Sequence, residues 1–184
     1  MAGLRTAGKV LAGTALVAVC AHAAVPLIFT PVPLTLQTFA VLLLGLLLSP
    51  RMAAVTLSVY LLEGAAGLPV FAPSPASGGL AHLIGPTGGY LLAYPAAAAL
   101  VSWLYRKATR TRGFSTGLLS AAAGSLLILG CGAAWLSVMT HAPIRSVMAV
   151  AVFPFLPGDA LKIALAATAA AGFQRLRHRT ASNT

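Results

Sequence analysis

Most of the twelve basic residues in this chain fall at the ends of apolar runs, and the runs between them are nearly free of charge. That pattern leaves little choice of solvent. Backbone polar groups inside a lipid bilayer must be satisfied within the segment itself, so long apolar runs flanked by cations predict membrane-spanning helices. The composition agrees, with 59% hydrophobic and 8% charged residues and a mean hydropathy of +0.92; a soluble domain carries about a quarter charged residues. At roughly 20 apolar residues per span, 184 residues allow about six helices and no separate soluble domain. The expected fold is an all-α integral membrane protein. A bundle of six transmembrane helices, with a long ordered external loop between helices three and four, forms a single domain over residues 1–184.

The net charge of +10 invites a nucleic-acid reading. The positions of the charges argue against it, because they mark helix ends and build no soluble basic face with base- or phosphate-reading groups. Arg5, Lys9, Arg51, Arg106, Lys107, Arg110, Arg112, Arg175, Arg177 and Arg179 share one side of a six-span topology, and Arg145 alone is on the other. By the positive-inside rule both termini are cytoplasmic in a multi-pass protein of the cell membrane.

Two N-terminal patterns mislead. Gly3-Leu-Arg-Thr-Ala-Gly8-Lys9 follows a phosphate-binding loop, but Val10 stands where a magnesium-binding hydroxyl belongs and no strand precedes it. Ala21-His22-Ala23 resembles a signal-peptide cleavage site, yet the apolar run continues through Phe29, so a retained first helix from Lys9 to Phe29 is expected. Cys20 and Cys131 lie in apolar segments and read as packing residues, without the ligand count of a zinc site.

The remaining spans are expected at Thr38 to Leu48, Arg51 to Ala66, Gly85 to Tyr105, Ser115 to Met139 and Pro157 to Phe173, with a short helix over Ser146 to Phe153. Small residues at four-residue spacing (Gly8 and Ala12, Thr14 and Ala18, then Gly117, Ala121 and Ser125) suit close helix packing. The stretch Gly67 to Pro86 holds Pro69, Pro73, Pro75, Gly78 and Gly79 and is no span; its length and its Phe71, Ser74 and Ser77 suit a lid over a modest ligand.

One stretch breaks the rule that charge avoids apolar runs. Phe155-Leu-Pro-Gly-Asp159-Ala-Leu-Lys162 carries one of the two acids and the only lysine inside an apolar run. Intramembrane charges cost roughly 2.5–3.5 kcal/mol each on insertion scales, so they mark function until shown otherwise. Pro157 favours helix initiation, which puts Asp159 at the positive end of the helix dipole with Lys162 one turn deeper on the same face. A structural ion pair is the competing explanation. In the same external half lie Thr35, Gln37 and Thr38, able to bond a neutral polar ligand, and Tyr90, with a ring to stack and a hydroxyl to orient. Gly88 and Gly89 allow close approach by a neighbour or a ligand. Glu63, about 18 Å from Arg51 along its helix, is either a solvated helix end or a group lining a cavity.

Four segments together resemble the BioY family, the biotin-binding S components of energy-coupling factor transporters. They are Pro33-Leu-Thr-Leu-Gln37-Thr-Phe39, Tyr60-Leu-Leu-Glu63-Gly-Ala-Ala-Gly-Leu-Pro-Val-Phe71, Gly85-Pro-Thr-Gly-Gly-Tyr90-Leu-Leu and the Asp159 stretch, in the family's order. The resemblance implies a membrane protein that sits in lipid, binds biotin from outside and associates with a transmembrane coupling protein and two ATP-hydrolysing subunits. It implies transport by tilting of the whole component, with no chemistry and no cofactor beyond biotin as cargo. Asp159 and Lys162 would bind polar groups of the vitamin, Tyr90 would pack on its rings, and Gln37 with Gly78 and Gly79 would close the site. Thr35, Glu63, Gly88 and Gly89 are further candidates for the cavity wall. Lys162 could meet either the ureido carbonyl or the valerate carboxylate, and self-association is left open. Competing classes are an S component for another vitamin, an intramembrane enzyme using Ser77 with His82 or His141, and a structural scaffold. No Gly-x-Ser-x-Gly elbow supports the enzyme.

Overall fold

The computed structural model describes residues 2–73, 78–108 and 113–182. Ser74, Pro75, Ser77, Arg110 and Arg112 lie outside the described residues, as do the side chains of Arg177 and Arg179.

The fold is helical, with one short hairpin. Helix α1 runs Ala2–His22 and gives way to β1 (Ala24–Val25), which pairs antiparallel with β2 (Leu34–Thr35) in the register Ala24 to Thr35 and Val25 to Leu34. This is a departure from the expected first helix. Pro26, Pro31 and Pro33 remove helical donors across the stretch, and the backbone finds its partners in the hairpin, extended by Leu36 N–H donating to Ala23 O at 3.2 Å. Apolar composition alone does not separate the end of a helix from a hairpin.

Helix α2 (Gln37–Leu47) is the centre of the bundle. It contacts α1, α3 (Pro50–Ala65), α5 (Gly88–Lys107), α6 (Phe114–Thr140) and α8 (Leu156–Ser182). Gly45 makes the contact with α5 close: a Cβ there would come within 2.9 Å of Ala98 O. Pro50 at the first turn of α3 suits a position whose amide needs no helical partner. Gly67, at φ +94°, turns the chain after α3 through a conformation that L side chains resist.

The stretch after Gly67 holds a feature unforeseen in the sequence, the five-residue helix α4 (Leu80–Ile84). Helix α7 (Ile144–Ala151) and a 3-10 turn (Phe153–Phe155) occupy the segment before α8. Helix α8 extends past the expected end near Phe173 to Ser182.

Among the described residues, Gly3–His22, Phe114–Thr140 and the Ile144–Leu176 segment are long and apolar enough to cross a membrane, and Gln37–Leu47 is a shorter apolar helix. The core follows the helix seams. Val17, Val41, Leu57, Tyr60, Ala97, Ala98 and Ile128 are almost wholly buried, while Leu11, Val19, Leu119 and Leu126 face outward, as a lipid-facing surface requires. The small-residue pairs of α1 separate accordingly. Thr14 is buried against the bundle, whereas Gly8 and Ala12 are exposed.

Candidate functional site

The start of α8 positions the charge pair. Pro157 and Gly158 lead into the first turn, and Asp159 and Lys162 fall one turn apart on the inward face, 4% and 5% exposed. Lys162 Nζ donates to Asp159 Oδ1 at 3.0 Å. The second carboxylate oxygen accepts from Ser125 Oγ of α6 at 2.8 Å. Each charge therefore has a partner, the condition under which burial of an ion pair is tolerated.

The pair lies in the wall of a cavity of about 60 Å³ bounded by the hairpin, α2, α5, α6 and α8. Seven of the residues expected from the sequence meet there: Thr35, Gln37, Thr38, Phe71, Tyr90, Asp159 and Lys162. The hairpin is what brings the first two in. Thr35 Oγ1 accepts from Gln37 N–H and donates to Gln37 Oε1, both at 3.3 Å, and Gln37 Nε2 donates to Tyr60 Oη at 2.6 Å. Tyr60 in turn donates to Val70 O at 2.8 Å, tying α3 and the following stretch to the start of α2. Tyr90 donates to Ala151 O at 2.6 Å, and its ring lies 6.3 Å from that of Phe155. The ring is thus oriented by its own hydroxyl.

The other candidates sit elsewhere. Gly89 packs where α5 crosses α6, against Trp135 and Cys131 O, and Gly88 lies against Leu83 O. Their missing side chains serve contact with protein. Glu63, half-buried, accepts from Thr14 Oγ1 of α1 at 3.2 Å. Gly79 has φ +76° and caps the start of α4 close to Ala65 O, and Gly78 is exposed with open space about it. Of the histidines weighed as catalytic bases, His141 is exposed at the end of α6 and His82 is buried. Cys20 is buried and Cys131 exposed.

Sequence reasoning passed over the role of Ser125. Ser125 was legible only as one member of a small-residue seam, because a serine among alanines and glycines gives no sign of the carboxylate it meets. His82, on the short α4 and weighed from the sequence only as a catalytic base, reaches the cavity wall too.

Pockets for drug-sized ligands measure roughly 300–1,000 Å³, so a cavity of about 60 Å³ must widen before it takes even a small bicyclic molecule. Chemically it offers a carboxylate, an ammonium, an amide and hydroxyls among apolar and aromatic walls. That set suits a neutral or anionic ligand with both donors and acceptors around an apolar skeleton.

The BioY family model matches residues 2–179. A probable biotin transporter BioY of Pyrococcus horikoshii is 39% identical over 150 residues, covering 82% of this chain and 83% of the relative. The biotin transporter BioY of Thermotoga maritima is 37% identical over 163 residues, 89% of this chain and 92% of its own length. Among solved structures, the S-component for biotin from an ECF-type ABC transporter, a crystal structure at 2.1 Å, superposes with a TM-score of 0.84. It is 26% identical and covers 94% of this chain and 92% of that one.

Proposed function

Since the chain belongs to the BioY family, we propose that it is the membrane subunit that binds biotin for uptake into the cell, working with an ATP-driven coupling module. Proteins of this family are transport components, and this chain is not an enzyme. The observation that carries the site assignment is the buried Asp159–Lys162 pair, held by Ser125 in the wall of one cavity with Gln37 and Tyr90. A ureido ring presents two N–H donors and a carbonyl acceptor, which a carboxylate and an ammonium or amide answer, and its fused thiophane ring favours Tyr90. Gly78 and Gly79 belong to the stretch that closes over the ligand. The transmembrane coupling protein and the two ATPase subunits come to this chain from its family.

Purified protein in detergent should bind biotin at least a hundredfold more tightly than thiamine or riboflavin, measured by equilibrium dialysis with labelled vitamins. Equal binding of the three would end the biotin assignment and leave a vitamin carrier of other specificity, since a shared scaffold does not fix the ligand.

Helices α1, α2, α3, α5, α6 and α8 form one six-span domain with both termini in the cytoplasm. At about 1.5 Å per residue, the 11 residues of α2 cover only some 16 Å of a roughly 30 Å core. The hairpin before α2 completes that crossing on the external side. The orientation is testable in a background lacking Cys20 and Cys131. An impermeant maleimide should label Phe29→Cys in intact cells and Ser115→Cys only after permeabilisation; the reverse pattern would invert the topology.

A further inference from the structure

Buried polar atoms in a fold this apolar normally have partners, because an unmatched one retains its full cost of leaving water. His82 does not meet that standard. Its ring is 8% exposed and contacts Phe71, with centroids 5.4 Å apart. Nε2 lies 3.0 Å from Ala72 O, and Nδ1 is buried with no hydrogen-bond partner. A carbonyl oxygen can only accept, so Nε2 carries the proton and Nδ1 of the neutral ring presents a lone pair. That acceptor belongs to a residue in the wall of the cavity that contains Asp159 and Gln37. Also in that wall is Thr38, whose buried Oγ1 likewise has no partner.

His82 lines a second hollow as well. This one, of about 390 Å³, is bounded by Pro26, Pro31, Pro73 and Pro86, and shares Pro33, His82 and Thr87 with the inner cavity. The ring thus stands between the wider outer space and the narrow inner one. A ligand that enters through the former and widens the latter passes this residue.

Resting on biotin as the ligand, we propose that His82 is a specificity-determining residue whose Nδ1 accepts a hydrogen bond from one ureido N–H, while Asp159 accepts from the other. The tether to Ala72 O fixes which ring nitrogen faces the ligand. Two acceptors for two N–H groups distinguish a cyclic urea from ring systems that present one donor or none. A site built to receive an N–H rejects an isostere lacking it, because its own acceptor stays unmatched.

The test uses biotin and its two cyclic carbamate analogues, in which one or the other ureido N–H is replaced by a ring oxygen of similar size. Binding is measured to the purified wild type, His82→Gln and His82→Asn. Glutamine keeps a donor at the ε position for Ala72 O, whereas asparagine keeps an acceptor at the δ position. The wild type should bind each analogue about tenfold or more weakly than biotin. His82→Gln should weaken biotin about tenfold and erase the penalty for one analogue while keeping it for the other. His82→Asn should remain within a few-fold of the wild type for biotin. Equal weakening of all three ligands in His82→Gln would assign the residue to loop anchoring alone and overturn the proposal, as would unchanged biotin affinity in His82→Gln. A wild type that discriminates among the analogues only through Asp159, with no penalty altered by either variant, overturns it too. A wild type that ignores biotin altogether would instead remove the transport assignment on which this rests.

Discussion

Asp159→Ala should reduce biotin affinity by at least a hundredfold and lower the thermal stability of the protein in detergent. In the proposed site the substitution takes one of the ligand's acceptors and, at the same stroke, leaves the Lys162 ammonium buried without its partner at 3.0 Å and Ser125 Oγ without its acceptor at 2.8 Å. Removing one member of a buried pair typically costs about 3–5 kcal/mol, and every 1.4 kcal/mol is about tenfold in an equilibrium constant. Stability and binding can be separated. Replacing both charges with apolar residues of similar volume, Asp159→Leu with Lys162→Met, should restore much of the stability, since well-packed apolar substitutes for buried pairs are often neutral or better. Binding should stay lost. A double variant that is stable and still binds biotin normally would show the pair to be structural, and the site would have to be sought elsewhere in the cavity.

The second large effect comes from a residue that does not line the cavity. Gly132 of α6 lies beneath Tyr90, and a Cβ added there would overlap the Tyr90 ring. That ring cannot move freely, because its hydroxyl is committed to Ala151 O at 2.6 Å and its face to the neighbourhood of Phe155. Gly132→Leu should therefore drive the ring out of place, weaken biotin binding by tenfold or more and destabilise the fold by roughly 1–3 kcal/mol, the usual range for overpacking. Isothermal titration and a thermal shift on the same preparation would measure both. Gly132→Ala should give the same direction at smaller size. Unchanged affinity in Gly132→Leu would mean that Tyr90 takes no part in holding the ligand.

These two residues illustrate what the sequence reveals and conceals. Asp159 and Lys162 stand out because a charge in an apolar run is conspicuous, and their three-residue spacing on a helix determines that they meet. Gln37, Thr35 and Tyr90 are legible for a related reason, as polar groups in or beside apolar segments. Ser125 and Gly132 are not, because small residues are common throughout the chain and the partner that gives each its role lies on another helix. Gly88 and Gly89 show the converse: paired glycines signal a close approach, and only the fold tells that Trp135 and Leu83 are what approach. The membrane-type helical fold follows from the distribution of charge. The end of α1 at His22 does not, because prolines and apolar residues between Ala24 and Thr35 fit a helix end or a hairpin, and pairing between distant strands decides. Helix α4 is too short to leave a periodic trace.

The narrowness of the inner cavity has a thermodynamic consequence. If the walls must part before a bicyclic ring fits, the measured dissociation constant is the intrinsic one divided by the fraction of molecules already wide enough. Substitutions that loosen the wall without touching the ligand can then tighten binding, and substitutions that stiffen it can weaken binding. Thr35, Gln37, Tyr60 and Val70 form one relay of hydrogen bonds along that wall. On that premise its stiffness enters the affinity alongside the contacts with the vitamin.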